Sequence, residues 1–406
     1  MDSLIGRLLA AHSRRGLKPT LLLLTLCYLV GLQPAPALAA TSTTAQDVAV
    51  AYQVNTIHRG VQPYDALTPP LTRRWTVKFG SAVSYPLIAN GKVFVTVANP
   101  GSSGTYLYAM NLTTGSRAWG PIDLGGTDNW SNAAYDQGRI FVVNDGGQLQ
   151  AFDAQGGRRL WAKQLPGQYS FSTPPTARNG IVYTAGAGVG GTLYAVAEST
   201  GLLLWTASVM NGDSSSPVVT ATGVYVSYAC AQTYDFDPTS GALIWHHWTA
   251  CEGGGGTTPA LFNGRLYVRD SITGNVILNA ADGSVLGTFT STPIPAFGGS
   301  LHYGYFLSGT TLRAESPSNG AVIWRFSGDG TLQSAPLVSH GYVYIGSRLG
   351  HVYALNANTG HLAWKTLTGM TIPTQYEANR AQPLSGFAVG GGYLVVPTTT
   401  SLIAYR

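Results

Sequence analysis

From residue 86 onward the chain is written in short apolar strands separated by glycine turns. A unit opens with a stretch ending in Pro, followed by a Gly and a Val/Tyr/Phe strand. A second glycine turn leads to a Leu-Tyr-Ala-type strand, then a Thr-Gly turn, then an aliphatic strand that closes on Trp. The clearest copy is Pro336, Gly341, Val343-Tyr344-Ile345, Gly350, Val352-Tyr353-Ala354-Leu355, Thr359-Gly360 and Trp364. Alternating apolar positions of this length are the period of half-buried β-strands, not of helices.

The unit recurs. Pro86, Val93-Phe94-Val95, Leu107-Tyr108-Ala109, Thr114-Gly115 and Trp119 form one copy, and Pro175, Val182-Tyr183, Leu193-Tyr194-Ala195, Thr200-Gly201 and Trp205 another. Worn copies close on Trp161, Trp245 and Trp324; in the fifth, Gly287 stands where Trp is expected. An eighth copy runs from about Leu384 to Arg406 and lacks its last strand. The missing strand lies at the other end, in Thr72–Phe79 with Trp75. Closing positions at 75, 119, 161, 205, 245, 287, 324 and 364 divide residues 71–406 into eight units of about 42. Four strands per unit of this length, with one unit split between the ends, predict an all-β, eight-bladed β-propeller of four-stranded antiparallel blades, its ring closed by the N-terminal strand completing the last blade. An open solenoid would need caps instead of closure. Trp75, Trp119, Trp161, Trp205, Trp245, Trp324 and Trp364 are expected to dock blade on blade, and the Thr-Gly pairs to supply the positive φ of tight turns.

The Tyr-Ala-Leu/Met-Asn, Thr-Gly, Trp pattern resembles the tryptophan-docking repeat of PQQ-like quinoprotein propellers. That repeat occurs in quinoprotein alcohol dehydrogenases and in the propeller lipoprotein of the outer-membrane assembly machine. The resemblance covers nearly all of residues 72–406. It implies the fold, and either a scaffold role or a dehydrogenase that uses pyrroloquinoline quinone (PQQ) with calcium. The dehydrogenases hold their quinone against two adjacent cysteines, a pair missing from this sequence. No local motif around Asp128, Glu252, Asp270, Glu315 or Glu377 matches their acidic residues. The expected function is therefore a non-catalytic binding or scaffold module without cofactor or metal, with the PQQ–calcium enzyme as the alternative. The expected partner is an exported protein or a cell-envelope polymer, and the chain is expected to be a monomer.

The N-terminus adds a location. Arg7, Arg14, Arg15 and Lys18 precede an apolar run from Leu21 to Leu32 and the small-residue stretch Ala35–Ala39. This order predicts a signal peptide over 1–39, cleaved near Ala39, and a periplasmic or extracellular mature chain. Twelve apolar residues are too few to span a bilayer, which takes about 20. Ser13–Lys18 partly resembles a twin-arginine signal, with Leu17 where Phe is usual. Cleavage leaves 19 basic and 17 acidic side chains, a net of +2, which gives no reason to seek nucleic acid. Residues 40–70 are read as a strap carrying Tyr52, Ile57 and Tyr64 against a face or the outer edge of the ring, with His58 a packed or solvated residue, not a ligand. Cys230 and Cys251 follow strands that run the same way in blade four, and are expected to form a disulfide.

Strands of a blade are labelled A to D from the inside outward. The A–B turns are short (Ala89-Asn90-Gly91, Phe262-Asn263-Gly264) and the D–A connections longer and varied, so function is expected on the D–A/B–C face. Asp128, Trp130, Tyr169, Tyr376, Glu377 and Arg380 are the candidate binding residues there; Trp130 lies outside the repeat register, and Tyr376, Glu377 and Arg380 lie on the longest connection. The same residues also fit a plug over the central channel. His246-His247 point to opposite sides of a strand and cannot chelate one ion together, and Asp145-Gly146-Gly147 reads as a turn.

Overall fold

Eight sheets, taken in chain order, form the blades of a propeller in a computed structural model that describes residues 47–251 and 255–406. The expected signal peptide, the first residues of the strap and Glu252 lie outside the described residues. Blade one is built from Leu87–Ala89, Lys92–Ala98, Thr105–Asn111 and Arg117–Asp123, each antiparallel to the next. Blades two to seven repeat the arrangement. Blade eight joins Ala388–Gly390, Tyr393–Pro397 and Ser401–Tyr405 to the N-terminal strand Arg73–Lys78, which pairs antiparallel with Ser401–Tyr405. The ring therefore closes as expected, by hydrogen bonds between the two ends of the chain.

The inner strands of a blade are covered on both sides by neighbouring blades. Lys92–Ala98 and Tyr393–Pro397 are buried along their whole length, whereas outer strands such as Arg159–Gln164 are half exposed. The repeated tryptophans join one blade to the next. The indole N–H of Trp75 donates to Leu112 O, and those of Trp119, Trp161, Trp205, Trp245 and Trp324 donate to Ala154, Glu198, Pro238, Ala280 and Ala357, all at 2.7–3.2 Å. Three residues after each acceptor comes the turn glycine, with φ between +69° and +75°. The ring lies on that glycine so closely that a methyl group there would come within 2.6–2.8 Å of it. The glycine is thus required twice, for its positive φ and for the close approach. Trp364 has no such turn to dock on, because strands C and D of blade eight come from opposite ends of the chain; it meets Tyr405 edge-on at 5.5 Å.

The strap corrects the expectation for residues 40–70. Residues 49–62 lie inside the central channel, at the A–B end, while Asp65 lies against the A–B face, accepting from Gly392 N in the turn of blade eight at 2.9 Å. The A strands have no sheet neighbour on their inner side, so their inward N–H groups need acceptors. The strap provides them: Ile88, Tyr135, Val219, Leu261, Phe297 and Val338 donate to the carbonyls of Ala49, Val50, Thr56, Ile57, Arg59 and Gly60 at 2.7–3.1 Å. Val61–Gln62 then adds a fifth, parallel strand inside blade seven. Tyr52 and His58 are fully buried. His58 is packed, with Nδ1 2.7 Å from Tyr52 O and Nε2 2.9 Å from Pro217 O; its burial lowers its pKa to about 4. Tyr64, in contrast, is exposed.

Candidate functional site

The other end of the channel is closed by the connection between blades seven and eight, residues 368–387. It enters the channel mouth and is tied on several sides. The Glu377 carboxylate pairs with Arg269, at the end of strand B of blade five (Arg265–Val268), and accepts the N–H of Thr258. The Gln375 side-chain oxygen accepts from Ala335 N at 3.1 Å and from Tyr52 Oη at 3.4 Å. Loop and strap therefore meet in mid-channel. Towards blade two, Leu384 and Asn132 exchange two hydrogen bonds of 3.1–3.2 Å, and Arg380 lies 3.3 Å from the Asp128 carboxylate. Asp128 is itself positioned by Asp145, which accepts from the backbone of Thr127 and Asp128 and from the Thr127 hydroxyl.

Tyr376 stands between the anchored Gln375 and Glu377 and is 65% exposed. A cleft of about 510 Å³ on one side of it is lined by Tyr228, Thr257, Ile272 and Asn275. A cleft of about 380 Å³ on the other side is lined by Val83, Arg348, Pro373 and Ser385. Gln333, Thr374 and Tyr376 border both. Tyr169, 70% exposed, lies farther round the same face, its ring over Gly188 and its hydroxyl donating to Gly188 O at 3.1 Å.

Two of the six candidates do not offer a surface. Trp130 is fully buried among Phe141, Leu149, Leu165 and Phe171. It immediately precedes strand A of blade two (Ser131–Asp136) and packs with residues of blade three, so its position outside the repeat register reflects core packing. Glu377 is 4% exposed and is committed to Arg269. Asp128, Tyr169, Tyr376 and Arg380 remain accessible. Arg269 was missed by sequence reading; its only signal is a cation at the end of the apolar run Leu266-Tyr267-Val268.

The disulfide between Cys230 and Cys251 joins the ends of strands B and D of blade four, with Cα atoms 5.7 Å apart. Ala229 and Asp270 beside it line the larger cleft. Asp270 ties it in, accepting from Cys230 N at 2.9 Å through one oxygen and from Thr273 through the other.

Ser347, His351 and Asp329 meet on this face, but not in the order of a base-activated hydroxyl. Ser347 and His351 both contact the same Asp329 oxygen, at 2.6 and 2.8 Å. The serine hydroxyl thus donates to the carboxylate instead of facing the imidazole, the reverse of a base-activated hydroxyl. Among the described residues, no three His, Cys, Asp or Glu side chains converge to hold a metal ion. Strap and loop enter the channel from its two ends and meet where the Tyr52 hydroxyl donates to Gln375. His246 stacks on Tyr234 at 3.9 Å, and its Nε2 lies 2.8 Å from Gln232 Oε1.

With this geometry established, comparison with known proteins gives the family. The family model described as outer membrane protein assembly factor BamB matches residues 103–247 and 276–406. The chain belongs to this family. The outer membrane protein assembly factor BamB of Moranella endobia (strain PCIT) is 25% identical over 260 residues, covering 60% of each chain. The tetrathionate hydrolase of Acidithiobacillus ferrooxidans is 25% identical over 183 residues, 41% of this chain and 35% of that one. The chain thus spans less than two thirds of either relative. Quinohemoprotein alcohol dehydrogenase from Comamonas testosteroni superposes with a TM-score of 0.70 at 13% identity, over 90% of this chain and 81% of that one, a likeness of fold. Among the described residues, no helix is long and apolar enough to cross a membrane.

Proposed function

We propose that the chain is an exported, non-catalytic propeller that binds a segment of another cell-envelope protein on its D–A/B–C face. The observation that carries the reading is Tyr376, an exposed aromatic between two clefts, on a loop fixed before it by Gln375 and after it by Arg269–Glu377 and Asp128–Arg380. A rigid aromatic beside apolar and amide groups is the composition of a protein-binding patch. Membership of a family described by an assembly factor supports a scaffold role, and the disulfide is in keeping with an oxidising compartment.

The test is site-specific photo-crosslinking in intact cells, with a benzophenone amino acid at position 376 and, as the opposite-face control, at Tyr64. A protein adduct from 376 alone, lost when Ile272 is changed to Asp, is expected. An adduct to polysaccharide would replace the protein partner by an envelope polymer. Saturable one-to-one binding of PQQ with calcium, seen as tryptophan quenching, would instead favour the dehydrogenase alternative.

A further inference from the structure

The junction between blades five and six lacks the tryptophan that closes six others. Gly287 occupies its place on the outer strand Val285–Thr288. The turn glycine that the indole would cover is Gly320, in blade six. At the six filled docks a methyl group on the turn glycine would run into an indole; at Gly320, and at Gly287 itself, it would meet no atom within 4 Å. Gly320 is accordingly exposed, whereas its six counterparts are buried or half-buried.

The rest of the dock is intact. Gly320 has the same positive φ, +71°. The carbonyl three residues before it, Pro317 O, matches the one to which an indole N–H donates elsewhere; here Arg265 Nη1 donates to it at 2.9 Å. Tyr267 holds the position of the aromatic that stacks beside the tryptophan in the other blades, as Tyr305 does beside Trp324 at 5.8 Å. The Tyr267 hydroxyl is buried beside Arg265. The inner part of the junction is filled by other rings: Tyr267 with Phe297 at 4.3 Å, and Phe289 with Phe306 at 5.8 Å. The blades thus pack without the indole, and only its outer seat is open. Val285 and Leu286, both at least half exposed, flank that seat.

We propose that this vacant seat is a docking site for a tryptophan side chain carried by an extended segment of a partner protein. Six copies of the same seat in this chain show which group it accepts. The guanidinium of Arg265 offers a planar cation for the ring to stack on, and the exposed aliphatic pair offers contact to the flanking residues. The site lies on the outer rim, away from Tyr376, and does not depend on the reading of that face. Residues 1–46 contain no tryptophan, so the N-terminal segment does not supply the ring.

The probe is a fluorescein-labelled peptide with the chain's own blade-six outer-strand sequence, residues 321–327, which presents Trp324 in an extended segment. Fluorescence anisotropy with the full chain is expected to show saturable micromolar binding, weakened at least tenfold when the peptide's tryptophan is Ala. Gly287→Trp, which fills the seat from within, is expected to abolish binding while leaving the thermal midpoint unchanged or higher. Should that variant fail to fold, Leu286→Glu, at an exposed position, is expected to weaken binding at least tenfold. No saturable binding up to high micromolar, or equal binding by the Gly287→Trp or Leu286→Glu protein, would overturn the proposal. Self-association that disappears both in Trp248→Ala and in Gly287→Trp would overturn the separate partner, because the exposed Trp248 of a second copy would then occupy the seat.

Discussion

Glu377 and Arg269, 108 residues apart, form an ion pair within the channel mouth, where both side chains are more than nine-tenths buried. The Thr258 amide donates to the same carboxylate, and Arg269 Nη1 donates to Thr292 O at 3.1 Å. One pair thus fixes the connection that carries Tyr376 to the loops of blade five.

Removing one charge from a buried pair strands the other. Glu377→Ala is expected to cost about 3–5 kcal/mol in urea denaturation, while replacing both residues by apolar ones of similar volume is expected to cost much less. Glu377→Ala should also weaken partner crosslinking through position 376, since the loop loses its seat. A loss below about 1 kcal/mol would mean that the pair is solvated in solution.

The tryptophan docks predict an inequality. Trp324→Ala removes a buried ring from a glycine seat and a hydrogen bond to Ala357, and is expected to cost about 3–5 kcal/mol. Trp364→Ala removes a partly buried ring with no glycine seat, and is expected to cost clearly less, on the order of 1–2 kcal/mol. Equal losses in denaturant titrations would show that the rings act by bulk alone and not by docking.

Reduction of Cys230–Cys251 is expected to lower stability by about 2–4 kcal/mol, read as a drop in thermal midpoint with dithiothreitol and reproduced by Cys230→Ser with Cys251→Ser. Asp270 binds both the backbone of Cys230 and the turn at Thr273, so hydrogen exchange in residues 270–275 should rise as well. Unchanged exchange there would separate the disulfide from the cleft wall.

The repeat carried the fold because every element of it has a local cause: a glycine where φ is positive, a tryptophan where a neighbouring blade presents that glycine, and strands that alternate over two covered faces. The same logic revealed Gly287 as a gap. What the repeat could not locate was the contents of the channel. The strap has no periodicity of its own; it is held by carbonyls that meet the inner strands, and a backbone acceptor leaves no mark in side-chain pattern. Trp130 misled for a related reason: an aromatic outside the register can serve the core of a single junction. The connection that carries Tyr376 was legible as the longest between blades. The partner of Glu377 was not, because Arg269 is 108 residues away and belongs to a different blade.

Glu198 makes stability depend on pH. It is 1% exposed, and burial together with the neighbouring Asp136 raises its pKa to about 8, against an ordinary value of 4.5. The folded state therefore binds its proton more tightly than the unfolded chain does. The stabilisation is fully present below about pH 4.5 and is lost as pH rises through 8. Above that pH the fold holds an ionised carboxylate beside another acid. Glu198→Gln keeps the shape and leaves the backbone carbonyl that accepts from Trp161 in place, while the new amide can donate to Asp136. The variant is expected to match the parent protein at pH 4 and to exceed it at pH 9 by roughly 1–3 kcal/mol, or about 2–4 °C in thermal midpoint. Asp47 and Asp235, raised by burial to about 6 and about 7, contribute slopes of the same sign in both proteins, so the difference between the two melting curves isolates Glu198. Parallel curves from pH 4 to 9 would mean that this carboxylate reaches water.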